Sequence, residues 1–288
     1  MRALILTLAI AATVAGQERP LPDYATFAAQ VRKHLATDEE RQSGYMFVER
    51  RTEQKVDGGG RVTGESVKVF EVYPGLPGEA RYRRLIEENG KPVAREKLAS
   101  QDRNRQEDVE EYVSNQASPT RRQKAERDEA NTRRRYEAAL DDLFRIYDIR
   151  LVGRDKVDGH DTILATLVPR TNVQPRTDDG KVMRKFKARA WVSESDYELV
   201  RVEAEAIEDL SFGLGLLARV HKGTVASYER RKVNNETWLP GKVSWTASGR
   251  MFLVRRLRLR GISEFSGYRK FAVDTSTIYS TPPAVPPK

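Results

Sequence analysis

The sequence predicts an α+β fold in which an antiparallel sheet is covered by helices on one face. Three observations predict it. Residues 185–192 alternate strictly, with Phe186, Ala188, Ala190 and Val192 against Lys185, Lys187, Arg189 and Trp191. Side chains of a strand alternate between faces, so one face is apolar and the other basic. Turn pairs separate the apolar runs at Asn89-Gly90, Asp158-Gly159, Asp179-Gly180 and Asn234-Asn235. Residues 95–147, by contrast, are dense in Arg, Glu, Asp, Gln and Ala and read as helix.

The elements follow in order. Met1-Arg2, the apolar run 3–14 and the small residues Val14-Ala15-Gly16 have the pattern of a secretory signal peptide over residues 1–16. Such a run falls short of the roughly 20 apolar residues that span a bilayer. Asp23 is an N-cap for a helix whose apolar stripe is Tyr24, Phe27, Val31 and Leu35. Strands follow at 44–55, 66–73 and 80–88, broken by the Gly58-Gly59-Gly60 turn, by a Pro/Gly cluster at 74–78 and by Asn89-Gly90. Two helices are expected, at 95–115 and 119–147. Pro119 suits the first helical position of the second. That helix is polar all round from 120 to 135, and then Tyr136, Leu140, Leu143, Phe144 and Tyr147 share one face that should pack on the sheet.

A hairpin over 149–157 and 162–168, a polar loop over 169–179 and two regular strands at 185–192 and 200–206 come next. Strands at 220–233, 238–248, 251–260 and 262–273 complete an up-and-down sheet. Arg256, Arg258 and Arg260 line one side of the third of these. Before them lies an apolar, glycine-rich stretch, residues 210–218. Its glycines suit neither regular strand nor helix, and it reads as a bulged strand or a mobile buried loop, or else as a flap at the mouth of a cavity. The Pro-rich tail, 281–288, is expected to be disordered. The mature chain, 17–280, reads as one domain with a helical insertion at about 95–147.

Composition narrows the function. Among 288 residues, 51 are Lys or Arg and 42 are Asp or Glu, for a net charge of +9. The two signs are interspersed, which argues against nucleic acid as a partner. With no cysteine there is no disulfide, thiolate metal site or cysteine nucleophile. The histidines, His34, His160 and His221, are far apart in sequence, and no metal-ligand spacing accompanies them. Neither a nucleophile elbow nor a phosphate-cradling loop is present. No catalytic residue, metal or cofactor is expected. Asn235-Glu236-Thr237 matches a glycosylation sequon that matters only in a eukaryotic secretory pathway.

Three phrases carry a family resemblance: RLVGRDKVDGHDTILATLVPR (150–170), AWVSESDYELVRVEAEA (190–206) and NETWLPGKVSW (235–245). Together with the leader, the first helix and the sheet, they resemble the LolA-like group of bacterial envelope proteins. That group includes outer-membrane lipoprotein-sorting carriers and related stress-sensor domains. The resemblance implies an open, curved antiparallel half-barrel with helices on its concave face and a cavity for acyl chains. It also implies a non-catalytic periplasmic carrier, whose ligand is a lipid or an acylated lipoprotein. The expected ligand-binding residues are the flap residues Phe212, Leu214, Leu216 and Leu217, with Leu140, Phe144, Tyr147 and Trp245. Further expected partners are an anionic membrane surface and an envelope protein. The alternative function is a protein-interaction or stress-sensor module that uses the charged helices.

Overall fold

The computed structural model describes residues 19–76, 80–212, 218–251 and 255–270. The leader, flap residues 213–217 and the tail lie outside them. The chain forms α1 (Tyr24–Ala36), α2 (Asp38–Ser43), β1 (Tyr45–Val56), β2 (Val62–Tyr73), β3 (Tyr82–Glu88) and β4 (Lys91–Pro92). The helices α3 (Arg95–Ala117) and α4 (Pro119–Ile146) follow. Next come β5 (Tyr147–Val157), β6 (His160–Pro169), α5 (Asp178–Met183), β7 (Phe186–Ser193) and β8 (Leu199–Ala206). The remaining strands are β9 (Leu210–Phe212), β10 (Ala218–Val220), β11 (Val225–Val233), β12 (Thr237–Met251) and β13 (Arg255–Lys270).

One open sheet contains them all, ordered β4-β3-β2-β1-β13-β12-β11-β8-β7-β6-β5, with a β9–β10 hairpin attached to the end of β12. Every pairing is antiparallel. The order departs from the up-and-down reading. β1 pairs with the last strand, and α3 and α4 carry the chain from one sheet edge to the other. Local alternation sets strand phase but not partner choice, which is decided by packing over long sequence separations.

Local chemistry accounts for the elements. The Asp23 carboxylate accepts the Thr26 N–H and starts α1. Asn89 and Gly90 both take positive φ, as do Asp158 and Gly159, so each pair forms a tight hairpin turn. Thr177 caps α5, a short helix that starts in the last two residues of the expected loop and runs on to Met183. Its six residues are too few for a periodic signal.

The final strands differ most from expectation. Residues 255–260 and 262–270 do not form two strands. A single strand, β13, runs through Gly261. The glycine does not mark a turn there. The Trp245 indole of β12 occupies the space where a Cβ would stand.

Opposed residues of antiparallel strands share a face. Following the register from Ala165 through Ala190, Val202, Tyr228, Val243 and Ser263 to Arg51 traces one face across the sheet. At its β5–β8 end this inner face is covered. Phe27 and Val31 of α1 pack on Ile163 and Val192, and Ile146 and Tyr147 pack on Ala165 and Leu167. The outer face carries the expected cations of β7, but glutamates of β8 neutralise them. Lys187 pairs with Glu205 and Arg189 with Glu203. Arg189 and Arg201 also lie over the Trp191 ring, at 5.3 and 5.7 Å.

The exposed edge of β3 is protected. Gln101 of α3 accepts the Leu85 N–H at 2.9 Å and donates to the Leu85 carbonyl at 3.1 Å. Its amide therefore stands in for a neighbouring strand. One residue on, Asp102 holds Arg84 through two bonds of 2.7 and 3.0 Å.

A candidate ligand groove on the uncovered half of the sheet

The other half of the inner face, over β12, β13, β1 and β2, carries an open groove of about 590 Å³. That lies within the range of roughly 300–1,000 Å³ typical of small-molecule sites. Its walls run from Arg81 and Arg83 beside and in β3 to Pro240, Val243 and Trp245 in β12. Adjacent strands lie about 4.8 Å apart, so a flat sheet would hold these walls some 19 Å from each other. That both line one groove shows how far the sheet curls.

The apolar wall is aromatic. Phe47 meets Phe265 edge-on at 5.7 Å and Tyr268 at 5.2 Å. Burial pushes the Tyr268 hydroxyl well above its ordinary pKa. Val72, Val243 and Trp245 extend this surface. β1 contributes through its phase: Phe47, Glu49, Arg51 and Glu53 are alternate residues and all face inward.

The floor is charged. Glu49 is only 1% exposed. Its carboxylate accepts the Ser263 hydroxyl at 2.9 Å and the Arg51 Nε–H at 3.2 Å, and it pairs with Arg83. The Arg51 and Arg83 guanidinium groups both lie over the Phe70 ring, at 5.6 and 5.4 Å. Arg81 lies over Phe47 at 5.2 Å and donates to the carbonyls of Tyr45 and Gln42. Three arginines and two glutamates thus share a groove with the rings of Phe47, Trp245 and Phe265. Such a surface accepts an apolar chain and orients an attached polar or anionic group.

A second charged cluster fixes the boundary between the covered and open halves. Arg230, 2% exposed, contacts Asp38 at 2.6 Å and Glu198 at 3.4 Å, and donates to the Trp238 carbonyl. Glu198 also contacts Arg41, and His34 at 2.9 Å. This cluster ties α1 and α2 to β11 and β12.

The residues expected from sequence to bind ligand are divided by the fold. Trp245 lines the groove. Leu140 and Tyr147 are buried away from it, where α4 meets the sheet. The Tyr147 hydroxyl donates toward the carbonyls of Met183 and Phe186, and burial raises its pKa to about 12. Phe144 is half-buried on the same helix. The Phe212 backbone closes β9, while Leu214, Leu216 and Leu217 lie outside the described residues. Sequence reasoning missed Glu49, Arg51, Arg83 and Phe265. One signal could have found Glu49 and Arg51: β1 carries charge on the phase set by Phe47, where a packed sheet face would be apolar.

No protein-family model and no curated protein matches the chain. Solved structures similar to it include a LolA superfamily protein from Nitrosomonas europaea. It is 9% identical, with 88% of this chain and 97% of that one covered and a TM-score of 0.37. A putative outer membrane lipoprotein-sorting protein domain from Vibrio parahaemolyticus is 12% identical, over 84% and 89%, with a TM-score of 0.34. A MucA/MucB complex from Pseudomonas aeruginosa is matched at 9% identity, over 85% and 99%, with a TM-score of 0.25. These include the group that the three sequence phrases resemble. At such identities and scores, the functional reading rests on the groove itself.

Proposed function

We propose that this chain is a non-catalytic binding protein of the bacterial cell envelope that carries a lipid or an acylated lipoprotein. The observation behind this reading is the open half of the inner face, where aromatic and aliphatic side chains border a floor of arginines. An acyl chain laid along Phe47, Phe265, Val243 and Trp245 would gain about 0.8 kcal/mol for each methylene taken out of water. Arg51, Arg81 and Arg83 would face the polar end.

The groove chemistry favours binding over catalysis. Its hydroxyl, that of Ser263, donates to Glu49, and Glu49 is engaged by two guanidinium groups.

Titration with a fluorescent acyl amphiphile tests the reading. Val243→Asp puts a charge on a partly exposed wall position and should weaken binding at least tenfold, with circular dichroism unchanged. Unaltered affinity in that variant would remove the groove as the site.

A further inference from the structure

The first part of α4 makes no contribution to the groove or the core. Residues 119–138 are exposed at every position; the Tyr136 hydroxyl donates to the Leu35 carbonyl of α1, and the helix is buried only from Ala139 on. At 1.5 Å per residue, about 30 Å of helix is without cover. The two long sides of this stretch differ.

Successive residues turn by roughly 100°. Arg121, Lys124, Arg127, Arg134 and Arg135 therefore fall on one side, with Thr120, Gln123, Asn131 and Ala138 between and beside them and Asp128 as the one carboxylate. Among the described residues none of these five cations forms an ion pair. The Arg121 and Arg134 guanidinium groups instead donate to the Asn115 and Asn131 side chains. The opposite side is balanced. Arg122 and Glu126 stand four apart, and Arg133 pairs with Glu129 at 3.6 Å.

This asymmetry costs helix stability. Arg121 and Lys124, and Lys124 and Arg127, are like charges three residues apart and repel; Asp128, four residues from Lys124, is the one carboxylate on the stripe to offset them. A self-repelling stripe on an otherwise balanced helix is explained by an anionic surface that it meets. The stripe carries no large apolar side chain. A protein interface would supply an apolar core, whereas a bilayer of anionic headgroups asks only for charge.

We propose that this side of α4 docks the protein on anionic lipid bilayers, peripherally and reversibly. It is a surface separate from the groove, and its binding does not depend on a groove ligand. The contact is a sum of individually weak, screened charge interactions and is therefore salt-sensitive.

Sedimentation of the full chain with vesicles tests this. We compare phosphatidylcholine alone with phosphatidylcholine mixed with phosphatidylglycerol. The protein should pellet with the mixed vesicles, not with the neutral ones, and should be released near 1 M salt, where screening acts over about 3 Å. Changing Arg121, Lys124, Arg127, Arg134 and Arg135 together to Gln should lower partitioning by on the order of 100-fold or more. Arg122→Gln with Arg133→Gln, on the balanced side, should leave most of it. Circular dichroism should show both variants as helical as the parent. Equal pelleting of the two variants, equal pelleting with neutral vesicles, or no pelleting at low salt would overturn the proposal. In the last case an acidic protein becomes the candidate occupant.

Discussion

The Trp245 indole of β12 lies against the backbone of Gly261 in β13, so that a Cβ at 261 would come within 2.3 Å of the ring. The two residues are directly paired across the strands, and Gly261 is outside the positive-φ region. The ring, then, demands the glycine; backbone conformation does not. Gly261→Ala should force the indole out of its seat into the groove. The expected result is a stability loss of about 1–3 kcal/mol in urea denaturation, a shift in tryptophan emission, and weaker amphiphile binding.

Glu49 couples groove charge to stability. Glu49→Gln keeps the shape but weakens the bonds from Arg51 and Arg83. A destabilisation of about 1–3 kcal/mol is expected. The groove would then hold three arginines against Glu53 alone. Affinity for an anionic amphiphile should rise while stability falls. Calorimetry of binding together with denaturant melts checks that opposition.

Gln101 offers a test of edge protection. Gln101→Ala removes both bonds to Leu85 and frees a strand edge. We expect a loss of about 1–3 kcal/mol and a concentration-dependent rise in scattering, since an uncovered edge recruits other strands.

Acid sensitivity should come from two aspartates. Burial alone would raise the Asp142 pKa. Bonds from Arg145, from the Thr177 hydroxyl and from the amide groups of Thr177 and Arg176 outweigh it and hold the pKa at about 2. Asp196 is half-buried, and Lys232, Ser195 and Trp238 lower it to about 2. Unfolded aspartates titrate near 3.9. The stabilisation is therefore present above about pH 4 and is lost as pH falls toward 2. Asp142→Asn should destabilise the protein at pH 7 and approach the parent at pH 2. Melts across that range measure it.

The strands, the helices and most turns were legible because their signals are local. Alternation marked β7 and β8, Asn89-Gly90 marked a hairpin, and Ser118-Pro119 marked the break between α3 and α4. What is set by distant partners was not legible. Nothing near Gly261 announces that Trp245, sixteen positions earlier, will sit on it. The pairing of β1 with β13 joins the two ends of the domain. The site was half legible for the same reason. Trp245 stood out as a large side chain on the apolar phase. Glu49 and Arg83 look like surface charges until the sheet curls around them.

The central claim is that the open half of the inner face holds an amphiphile. Native mass spectrometry of the mature protein, purified from a bacterial periplasm without detergent, tests it most directly. The account predicts a bound mass that extracts as lipid or acylated peptide and is absent from Val243→Asp. A ligand-free mass that persists after incubation with envelope lipids would contradict it.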